Sequence, residues 1–583
     1  MTPPGKLLLG LLTFLLVVLV YYPAIFAGIL PADDVNLFTY LYNLEDYSLR
    51  DVFIRGKSYY YRPLLRLTYL ADKELWGPHE SFMHLENILL HAGSSILVFL
   101  IAHQLVLRYR LESRWLPLVA GLGFGLHPLT TESVNWISGR SDLLAGFFLF
   151  ASLLCLLKAL AGHSRLAWAG AAVTYVLAVL SKEVAFSAFP AALFLIYCWR
   201  REDGLLPERI VWKRLWPYLL AIALPLGYLL LRFLAMRQHD GGIDLALKAI
   251  MAGDYDLLDK GRVILKVFGF YCVKLVQPFP LNFAIVSASD WYVVPGVLGL
   301  LGCLWLFWRR SVLGALLLFS AWIVAPALLV PLGRMAWTPL AERYLYLPVA
   351  FAVVVAVIAG SSLLRRVPKA AVLTPLLVFL LLGGSAWATW QRTLVWQSNI
   401  TLYADAVEKS PNFVTVRKDY AQELEKAGRI EEALKVYETF PAPEGERYSI
   451  VAELSRARAR AVLRHDYPGA IAQLEALGHR PGQSMYKDYL KLLLMMYHQH
   501  GKTVTDDAAQ KALNGKILAR TIELQRLTGD AELLYRLGQL YQTAGDKRQA
   551  IDYYEQAARR PGPQQRNAEK LAARLRADQG AEP

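Results

Sequence analysis

Residues 7–30 read LLLGLLTFLLVVLVYYPAIFAGIL and are followed at 31–36 by PADDVN. The apolar run contains no charged residue and is long enough to cross a bilayer as one helix. A carboxylate is costly inside hydrocarbon, but it costs little where a helix emerges into the headgroup layer. The stretch therefore predicts a membrane helix with two adjacent carboxylates, Asp33 and Asp34, at the membrane surface.

The composition extends this prediction to most of the chain. The 583 residues are 55% hydrophobic and 12% aromatic, with a mean hydropathy of +0.32, which is typical of a polytopic membrane protein. The apolar residues precede Trp396, and the region after it is charged and patterned like helices. We predict an all-α protein with a membrane domain at 1–395 and a soluble helical-repeat domain at 396–583.

About eleven transmembrane helices are predicted from runs of sufficient length. They lie near 7–30, 83–106, 116–133, 141–160, 166–181, 184–199, 215–236, 292–308, 311–332, 343–363 and 371–390. Residues 263–283 are apolar too, but Lys266, Lys274 and Gln277-Pro278-Phe279-Pro280 favour a re-entrant or surface-lying element. If this segment spans, the repeat domain changes sides.

The basic residues predict the orientation, because short cytoplasmic loops collect Lys and Arg. Basic residues at 108–114, 158–165 and 200–214 place the N-terminus in the cytoplasm. The long loop at 31–82 and the repeat domain then lie on the outer face, which is periplasmic if the membrane is the inner membrane of a Gram-negative bacterium. These loops also account for part of the net charge of +14, so we do not expect a nucleic-acid partner.

Polar residues gather at the predicted outer hairpins, and nearly every hairpin contributes a cation. They are Arg62, His127, Glu132, Arg140, Asp142, Lys182, Glu183, Arg334, Glu342 and Arg343. Several Arg and Lys side chains near a membrane surface suit a phosphate or pyrophosphate headgroup. The alternatives are that the cations snorkel or pair with neighbouring carboxylates, and that the acidic pair caps a helix.

Two histidines, His84 and His91, lie seven residues apart and fall on one helix face. A metal site would favour the i, i+4 spacing of a helical ligand pair, which is missing here. Polar helix packing explains them better. No divalent metal is required by any pattern in the chain, so we predict no metal site.

Seven motifs in order carry a family resemblance. They are Asp33-Asp34, Tyr61-Arg62-Pro63-Leu64, His84-x-x-Asn87-x-x-x-His91, His127-Pro128-x-x-Thr131-Glu132, Gly139-Arg140-x-Asp142, Leu180-Ser181-Lys182-Glu183 and Glu342-Arg343-Tyr344-Leu345-Tyr346-Leu347-Pro348. Together with the C-terminal repeats they resemble the transmembrane and tetratricopeptide-repeat-containing family, in the glycosyltransferase C superfamily with the protein O-mannosyltransferases. The chain is shorter, with few and irregular repeats, and looks like a bacterial relative.

The resemblance implies an inverting glycosyltransferase that moves one sugar from a polyprenyl-phosphate donor to an acceptor hydroxyl at the non-cytoplasmic face. Mannose and protein Ser or Thr are the sugar and acceptor of the eukaryotic members; a lipid or glycan acceptor stays open for this chain.

Such a transfer needs a base for the hydroxyl proton and cations for the leaving phosphate. One aspartate of the pair would be the base, with Asp34 favoured, and its neighbour would orient it. Arg343, Lys182 and Arg140, and then Arg62, are the predicted phosphate ligands, with His127, Glu132, Asp142, Glu183, Glu342, Arg334 and His84 as further polar site candidates.

The C-terminal region contains its own repeat, Leu537-Gly538-x-x-Tyr541-x-x-x-Gly545-x-x-x-x-Ala550-x-x-x-Tyr554. A second copy starts at Ala421, and weaker units lie around 457–474 and 494–524. The spacing follows the tetratricopeptide pattern and predicts an α-solenoid that binds a protein or peptide acceptor. A spacer or dimerisation module is the alternative for this domain. For the whole chain the alternatives are a membrane-anchored scaffold and a lipid-sugar flippase.

Overall fold

A computed structural model describes residues 3–31, 33–44, 47–53, 60–162, 164–205, 216–236, 248, 250–251, 256–333, 338–364, 368–440 and 446–580. Helices make up most of these residues. No β-strand occurs in these ranges, where the one extended pairing is an isolated bridge between Ile285 and Leu340. The predicted all-α class is confirmed.

The described residues include nine helices that are long and apolar enough to cross a membrane. They are Pro4–Phe26, Glu80–Arg108, Ile137–Gly162, Glu183–Glu202, Pro217–Ala235, Asp290–Arg309, Val312–Gly333, Glu342–Leu364 and Leu373–Trp396. These correspond to nine of the eleven predicted spans, and they indicate a multi-pass membrane protein.

The other two predicted spans are shorter apolar helices, Leu116–Gly125 and Arg165–Ser181. The first ends well before residue 133, because Pro128 disfavours helical backbone at the residue before it and the chain turns there into the short helix Pro128–Thr130. The apolar helix Leu257–Val276 does not meet the same length and composition criteria. Its assignment as a re-entrant or surface-lying element stays a prediction.

Contacts divide the chain into two compact units, Met1–Ser410 and Pro411–Pro583. In the first unit, the helix Glu80–Arg108 is largely buried and packs against Pro3–Tyr21, Leu116–Gly125 and Arg140–Gly162. The connection between the first two spans is itself helical, with segments Asp33–Asn43, Leu49–Phe53 and Pro63–Trp76. These segments, together with the start of Arg140–Gly162, position the polar residues described below.

The remaining helical segments of the first unit complete the membrane domain. They are Tyr22–Phe26, Thr131–Asn135, Ile137–Gly139, Glu183–Ala188, Phe189–Glu202, Trp216–Met236, Asp290–Tyr292, Val293–Arg309, Val312–Val324, Ala325–Leu329, Val330–Gly333, Glu342–Leu345, Tyr346–Leu364, Pro368–Trp396 and Asn399–Lys409.

Two of these helices approach each other through glycine. A Cβ on Gly269 would lie 1.9 Å from the Tyr292 carbonyl oxygen, and one on Gly296 would lie 2.0 Å from that of Leu265. Leu257–Val276 and Val293–Arg309 therefore touch backbone to backbone, which a larger residue at either position would prevent.

The second unit is built from consecutive helices. They are Val414–Lys426, Ile430–Glu438, Glu446–Leu463, Tyr467–Leu477, Tyr486–Gly501, Asp507–Thr528, Ala531–Thr543, Lys547–Ala558 and Gln565–Gly580. In the pair Ala531–Thr543 and Lys547–Ala558, a Cβ on Gly538 would lie 2.5 Å from the Tyr554 ring, so the small residue lets the paired helices meet.

The two strongest sequence repeats share a side-chain contact as well as a pattern. Tyr554 donates a hydrogen bond to Gln542 at 2.9 Å, and Tyr437 donates one to Glu425 at 2.6 Å. In both pairs the tyrosine lies twelve residues after its acceptor. The repetition of this contact supports the identification of residues 421–437 as a second copy.

Candidate functional site

The two adjacent aspartates lie in different environments at the start of the helix Asp33–Asn43. The Asp33 side chain is exposed, whereas Asp34 is 1% exposed. The Leu30 backbone N–H donates to Asp34 Oδ2 at 3.1 Å. The Ser138 backbone N–H and hydroxyl both donate to Asp34 Oδ1, at 3.0 and 2.5 Å. Asp34 therefore anchors the helix start, and Asp33 faces outward.

Burial raises the pKa of Asp34 to about 6, although the hydrogen bonds from Ser138 and Leu30 lower it and the charge of Asp33 raises it further. The carboxyl thus changes charge near neutral pH instead of near its usual 3.8. At neutral pH the carboxylate form, which accepts all three hydrogen bonds, predominates.

Arg140 lies two residues beyond Ser138 and is held inside the protein. Its guanidinium is 1% exposed and pairs with Asp72 at 2.5 Å and Glu86 at 2.9 Å. It also donates to the Met83 carbonyl at 3.2 Å and to Asn87 Oδ1 at 3.2 Å. A phosphate could reach this cation only by displacing buried partners, so the sequence-based assignment of Arg140 as a phosphate ligand has no support in its contacts.

The other three predicted phosphate ligands are each paired with a carboxylate. Lys182 Nζ lies 2.7 Å from Asp142 Oδ1. Arg62 Nη2 lies 2.5 Å from Glu183 Oε1, and Arg343 Nη1 lies 2.5 Å from Glu132 Oε1. The charge of Asp142 also acts on Arg62 and Arg343, so the three pairs form one cluster. We call Arg62, Lys182, Arg343 and their three carboxylates the cation cluster.

Exposure differs between the two charge types in the cation cluster. The side chains of Arg62, Lys182 and Arg343 are 18%, 11% and 11% exposed, whereas those of Asp142 and Glu132 are 4% and 3% exposed. Glu183 is the exception at 23%. Two carboxylates thus lie behind the cations and orient them. The most exposed members of the cluster are Glu183 and its partner Arg62, and Lys182 and Arg343 each keep part of the side chain exposed.

Aromatic rings flank one end of this cluster. The Arg343 guanidinium lies 5.1 Å from the ring centroids of both Trp136 and Tyr344, and Arg62 lies 4.3 Å from that of Tyr60. Burial lowers the pKa of Lys182, and the Asp142 carboxylate opposes that shift. A bound anion would likewise favour the charged lysine.

The acidic pair and the cation cluster are neighbours. Ser138, which donates to Asp34, lies in the short segment Ile137–Gly139, four residues before Asp142 in the first turn of the next helix, Arg140–Gly162. The Tyr69 hydroxyl lies within electrostatic reach of Asp34, Arg140, Asp72 and Arg62. The structure therefore places Asp33, Asp34, Asp142, Lys182, Arg62 and their partners in one polar region, although these residues are far apart in the chain.

Glu342 serves a different purpose from its neighbour Arg343. Its Oε1 lies 2.8 Å from Lys274 Nζ and accepts the Asn282 backbone N–H at 3.0 Å. Lys274 also donates to the carbonyls of Pro278 and Pro280. This buried pair fixes the turn after Leu257–Val276, and the sequence did not predict it as a pair.

The remaining site candidates contribute locally. His127 Nδ1 accepts the Leu129 backbone N–H at 3.2 Å and so caps a short helix. Buried His84 lies against the backbone of Ala27 and Gly28. His91 bridges the Tyr346 hydroxyl and the Gly125 carbonyl, both at 3.0 Å, as predicted for polar helix packing. Arg334 lies outside the described residues.

An apolar cavity lies along the helix that ends at Lys182. Trp168, Ala171, Ala172 and Tyr175 of Arg165–Ser181 form one wall. The other walls come from Arg140–Gly162, Phe189–Glu202 and Trp216–Met236. At about 1.5 Å per residue along a helix, Tyr175 lies about 10 Å from Lys182. The cavity therefore begins within a short distance of the cation cluster.

Sequence reasoning missed several residues that support this region. Ser138, Asp72 and Asn87 contact Asp34 or Arg140 across 53 to 104 residues of chain. Only Asn87 belongs to a motif noted in the sequence, and no spacing rule links it to Arg140. The adjacency of Ser138 to the Gly139-Arg140 motif is the one signal that could have drawn attention to it.

Comparison with known proteins supports the family resemblance. A family model described as tetratricopeptide repeat matches residues 531–561. The chain is 35% identical over 115 residues to the protein O-mannosyl-transferase TMTC2 of Mus musculus, covering 19% of this chain and 13% of that protein. It is 39% identical over 108 residues to the human protein O-mannosyl-transferase TMTC4, covering 17% and 15%.

A longer match exists at lower identity. The chain is 21% identical over 402 residues to a protein O-mannosyl-transferase of Caenorhabditis elegans, covering 65% of this chain and 53% of that protein. The matches thus span a small part of TMTC2 and TMTC4 and about half of the nematode protein. The predicted resemblance is confirmed: the chain is similar to proteins named protein O-mannosyl-transferases and carries a tetratricopeptide repeat.

Proposed function

We propose that this chain is a membrane glycosyltransferase that moves one sugar, mannose or another hexose, from a polyprenyl-phosphate donor to a Ser or Thr hydroxyl of a protein. The observation that carries the proposal is the exposed Asp33 at the start of its helix, in the same polar region as Arg62, Lys182 and Arg343, whose side chains stay partly exposed. The names of the relatives support transfer of mannose to protein.

The proposed chemistry is a single displacement with inversion at the sugar. The acceptor oxygen forms a bond to the anomeric carbon while the bond from that carbon to the phosphate oxygen breaks. The hydroxyl proton goes to an aspartate, and the phosphate keeps the bonding electrons and gains negative charge. Positioned cations lower the barrier by stabilising that developing charge, and a positioned carboxylate contributes as general base.

We assign the base to Asp33 and an anchoring role to Asp34. A base must present an oxygen to the acceptor hydroxyl at hydrogen-bond distance. Both oxygens of Asp34 already accept hydrogen bonds, and its side chain is almost fully buried, whereas Asp33 is exposed next to it. This assignment reverses the preference for Asp34 as the base that was drawn from sequence. Both aspartates are still required for transfer, Asp33 as the base and Asp34 as the anchor.

The donor phosphate is assigned to Arg343, Lys182 and Arg62, without Arg140. Arg343 can present a planar fork to phosphate oxygens and Lys182 a point charge. The apolar cavity beyond Lys182 suits the isoprenoid tail of the donor, since its lining along Arg165–Ser181 is Trp168, Ala171, Ala172 and Tyr175. None of the steps requires a metal ion.

The proposed location follows from the charge pattern of the loops. The N-terminus lies in the cytoplasm, the site faces the non-cytoplasmic side, and the repeat domain lies on that same side and engages the protein acceptor. In a bacterium this is the inner membrane and the periplasm. Paired helices of tetratricopeptide type commonly form peptide-binding surfaces, which supports a role in acceptor selection.

A reconstituted transfer assay tests the proposal. The purified full chain in lipid vesicles is given a radioactive polyprenyl-phosphate mannose or glucose, with unfolded protein rich in Ser and Thr as acceptor. We expect label on protein that is released by β-elimination. Label found only in lipid or glycan would show that the acceptor is a lipid or glycan and not a protein. Absence of transfer with every donor would favour a membrane-anchored scaffold.

A further inference from the structure

The turn that presents Ser138 to Asp34 is unusually well fixed. The Trp136 carbonyl accepts the Gly139 backbone N–H at 3.0 Å and Asn87 Nδ2 at 2.9 Å. The Ile137 carbonyl accepts the Tyr69 hydroxyl at 3.1 Å. Three hydrogen bonds from two other helices and from the turn itself therefore hold the backbone on either side of Ser138.

Arg140 completes this support from the far side of the turn. Its Nε donates to Asn87 Oδ1, the same amide whose nitrogen holds the Trp136 carbonyl. Its two terminal nitrogens are occupied by Asp72, Glu86 and the Met83 carbonyl. Buried polar groups that are fully satisfied in this way make a local structure rigid and specific.

Gly139 lies where the backbone of this turn is closely packed. A Cβ at this position would lie 2.3 Å from the Ser133 carbonyl oxygen, so the chain folds back against itself directly after Ser138. The backbone N–H and the hydroxyl of Ser138 consequently point at one atom, Asp34 Oδ1.

We propose that Ser138 is the positioning residue of the acidic pair, and that Tyr69, Asn87 and Arg140 form the platform that holds it. This inference rests on the proposed function, since it assigns Ser138 a part in presenting Asp33 to the acceptor. Ser138 fixes the Asp34 carboxylate in place and in its ionised form. Asp34 in turn fixes the helix start from which Asp33 projects.

Among the residues that the structure describes, few charged or titratable groups act on Asp34. Asp33 acts on it from its own helix, and Tyr69 faces it from Pro63–Trp76. From the turn that contains Ser138, the contacts are the neutral hydroxyl and backbone N–H. A hydrogen bond donated to a carboxylate favours its charged form, so loss of the Ser138 hydroxyl raises the pKa at which Asp34 ionises.

The matched pair of variants is Ser138→Ala and Ser133→Ala. Both remove a hydroxyl from the same segment, but the buried Ser133 hydroxyl contacts no hydrogen-bond partner among the residues that the structure describes. Transfer by vesicles with full-length protein is measured between pH 5 and 8.5. We expect Ser138→Ala to lower kcat about tenfold at pH 6.5 and to move the acidic midpoint up by about one pH unit, since the lost hydrogen bond favours the ionised carboxylate. Ser133→Ala should keep the wild-type profile.

A second readout needs no activity. The pKa of the Asp34 carboxyl is higher in the folded protein than in the unfolded chain. Such a group stabilises the fold at pH values below its unfolded pKa. That stabilisation is lost as the pH rises through its folded pKa. The thermal midpoint of Ser138→Ala should therefore match wild type at pH 4.5 more closely than at pH 8, with a gap that widens between those values.

Each outcome bears on the proposal. A widening gap without transfer by any form would contradict the transferase but support the control of Asp34 ionisation by Ser138. A gap that is constant with pH, together with an unmoved acidic midpoint, would overturn the inference and leave Ser138 as a packing residue. Identical behaviour of Ser138→Ala and Ser133→Ala would overturn it as well.

Discussion

Arg140 and Arg343 carry the same side chain in the same polar region, yet their surroundings differ. Arg140 is 1% exposed and contacts two carboxylates, an amide and a backbone carbonyl. Arg343 is 11% exposed, pairs with one buried carboxylate and lies against two aromatic rings. The first arrangement holds a turn in place, and the second presents a cation. A cation near the acidic pair is therefore a ligand candidate only if part of its side chain remains accessible.

The same contrast separates the two aspartates. Asp34 is buried and accepts three hydrogen bonds, whereas Asp33 is exposed one residue earlier. The region therefore has a closed half around Asp34, Ser138 and Arg140, and an accessible half around Asp33 and the cation cluster. We expect substitutions in the closed half to affect folding or positioning, and substitutions in the accessible half to affect substrates.

The largest effect is expected for Arg140→Gln. Removing this cation leaves the buried Asp72 without its partner, and breaking a buried ion pair costs about 3–5 kcal/mol. Most of the variant should be lost as unfolded protein, which size-exclusion profiles after mild heating in detergent would show. Arg62→Gln is the comparison variant, because its pair with Glu183 is more exposed than the pair of Arg140 with Asp72, so its loss should unfold less of the protein. If Arg140→Gln folds and only its KM for the donor rises, Arg140 would be a ligand of the donor phosphate after all.

A smaller but more selective loss is expected for Arg343→Lys. The substitution keeps the charge that faces Glu132 but removes the planar fork that suits phosphate oxygens. We expect kcat/KM for the donor to fall about 10–100-fold, the range for loss of one charge-assisted contact. Donor and acceptor are titrated separately, and the KM of the acceptor should hold. An equal loss for both substrates would indicate a general disturbance of the fold.

The pH dependence of sugar transfer is expected to follow the ionisation of Asp34 in the closed half. Because burial raises the pKa of Asp34 to about 6, acidification below that value protonates the carboxyl that accepts the Ser138 and Leu30 hydrogen bonds. Transfer should fall about tenfold per pH unit below pH 6 and be level between pH 7 and 8. Initial rates at saturating and limiting donor would show this. A rate that is unchanged down to pH 4.5 would contradict a role for the ionised Asp34.

The smallest effect is expected in the apolar cavity. Ala172→Trp should fill space along Arg165–Ser181 without touching the cations. We expect a loss of about three- to fivefold in kcat/KM for a long polyprenyl donor, since one misfit in an apolar pocket costs about 1 kcal/mol or more. A donor with a two-isoprene tail serves as the control and should be used equally by both proteins. Equal losses with both donors would remove the cavity from the donor path.

Much of the fold could be predicted from this sequence. Long apolar runs have few structural solutions, and nine of the predicted spans are helices of suitable length in the described residues. The tetratricopeptide repeat at 531–561 could also be predicted, because small residues at fixed spacing indicate paired helices. The extent of Leu116–Gly125 was harder to predict, since apolar residues continue past the helix end and the proline controls the turn.

The candidate site was predictable in its members but not in their pairing. Charged residues at span ends were expected to gather, but nothing in the sequence distinguished the surroundings of Arg140 from those of Arg343, or those of Asp34 from those of Asp33. Those distinctions depend on which carbonyls and carboxylates of distant helices surround each side chain. Ser138 and Asn87 illustrate this, because each acts through a contact that spans many residues of chain.

The most direct measurement compares Asp33→Asn with Asp34→Asn in reconstituted vesicles, recording sugar transfer and thermal midpoint on the same samples. We expect Asp33→Asn to reduce transfer at least a hundredfold, in the range for loss of a general base, while its thermal midpoint stays within one degree or so of wild type. Asp34→Asn should lower both, because its amide group places a donor against donors at Leu30 or Ser138. Full transfer by Asp33→Asn, with activity lost only in Asp34→Asn, would contradict the assignment of Asp33 as the base.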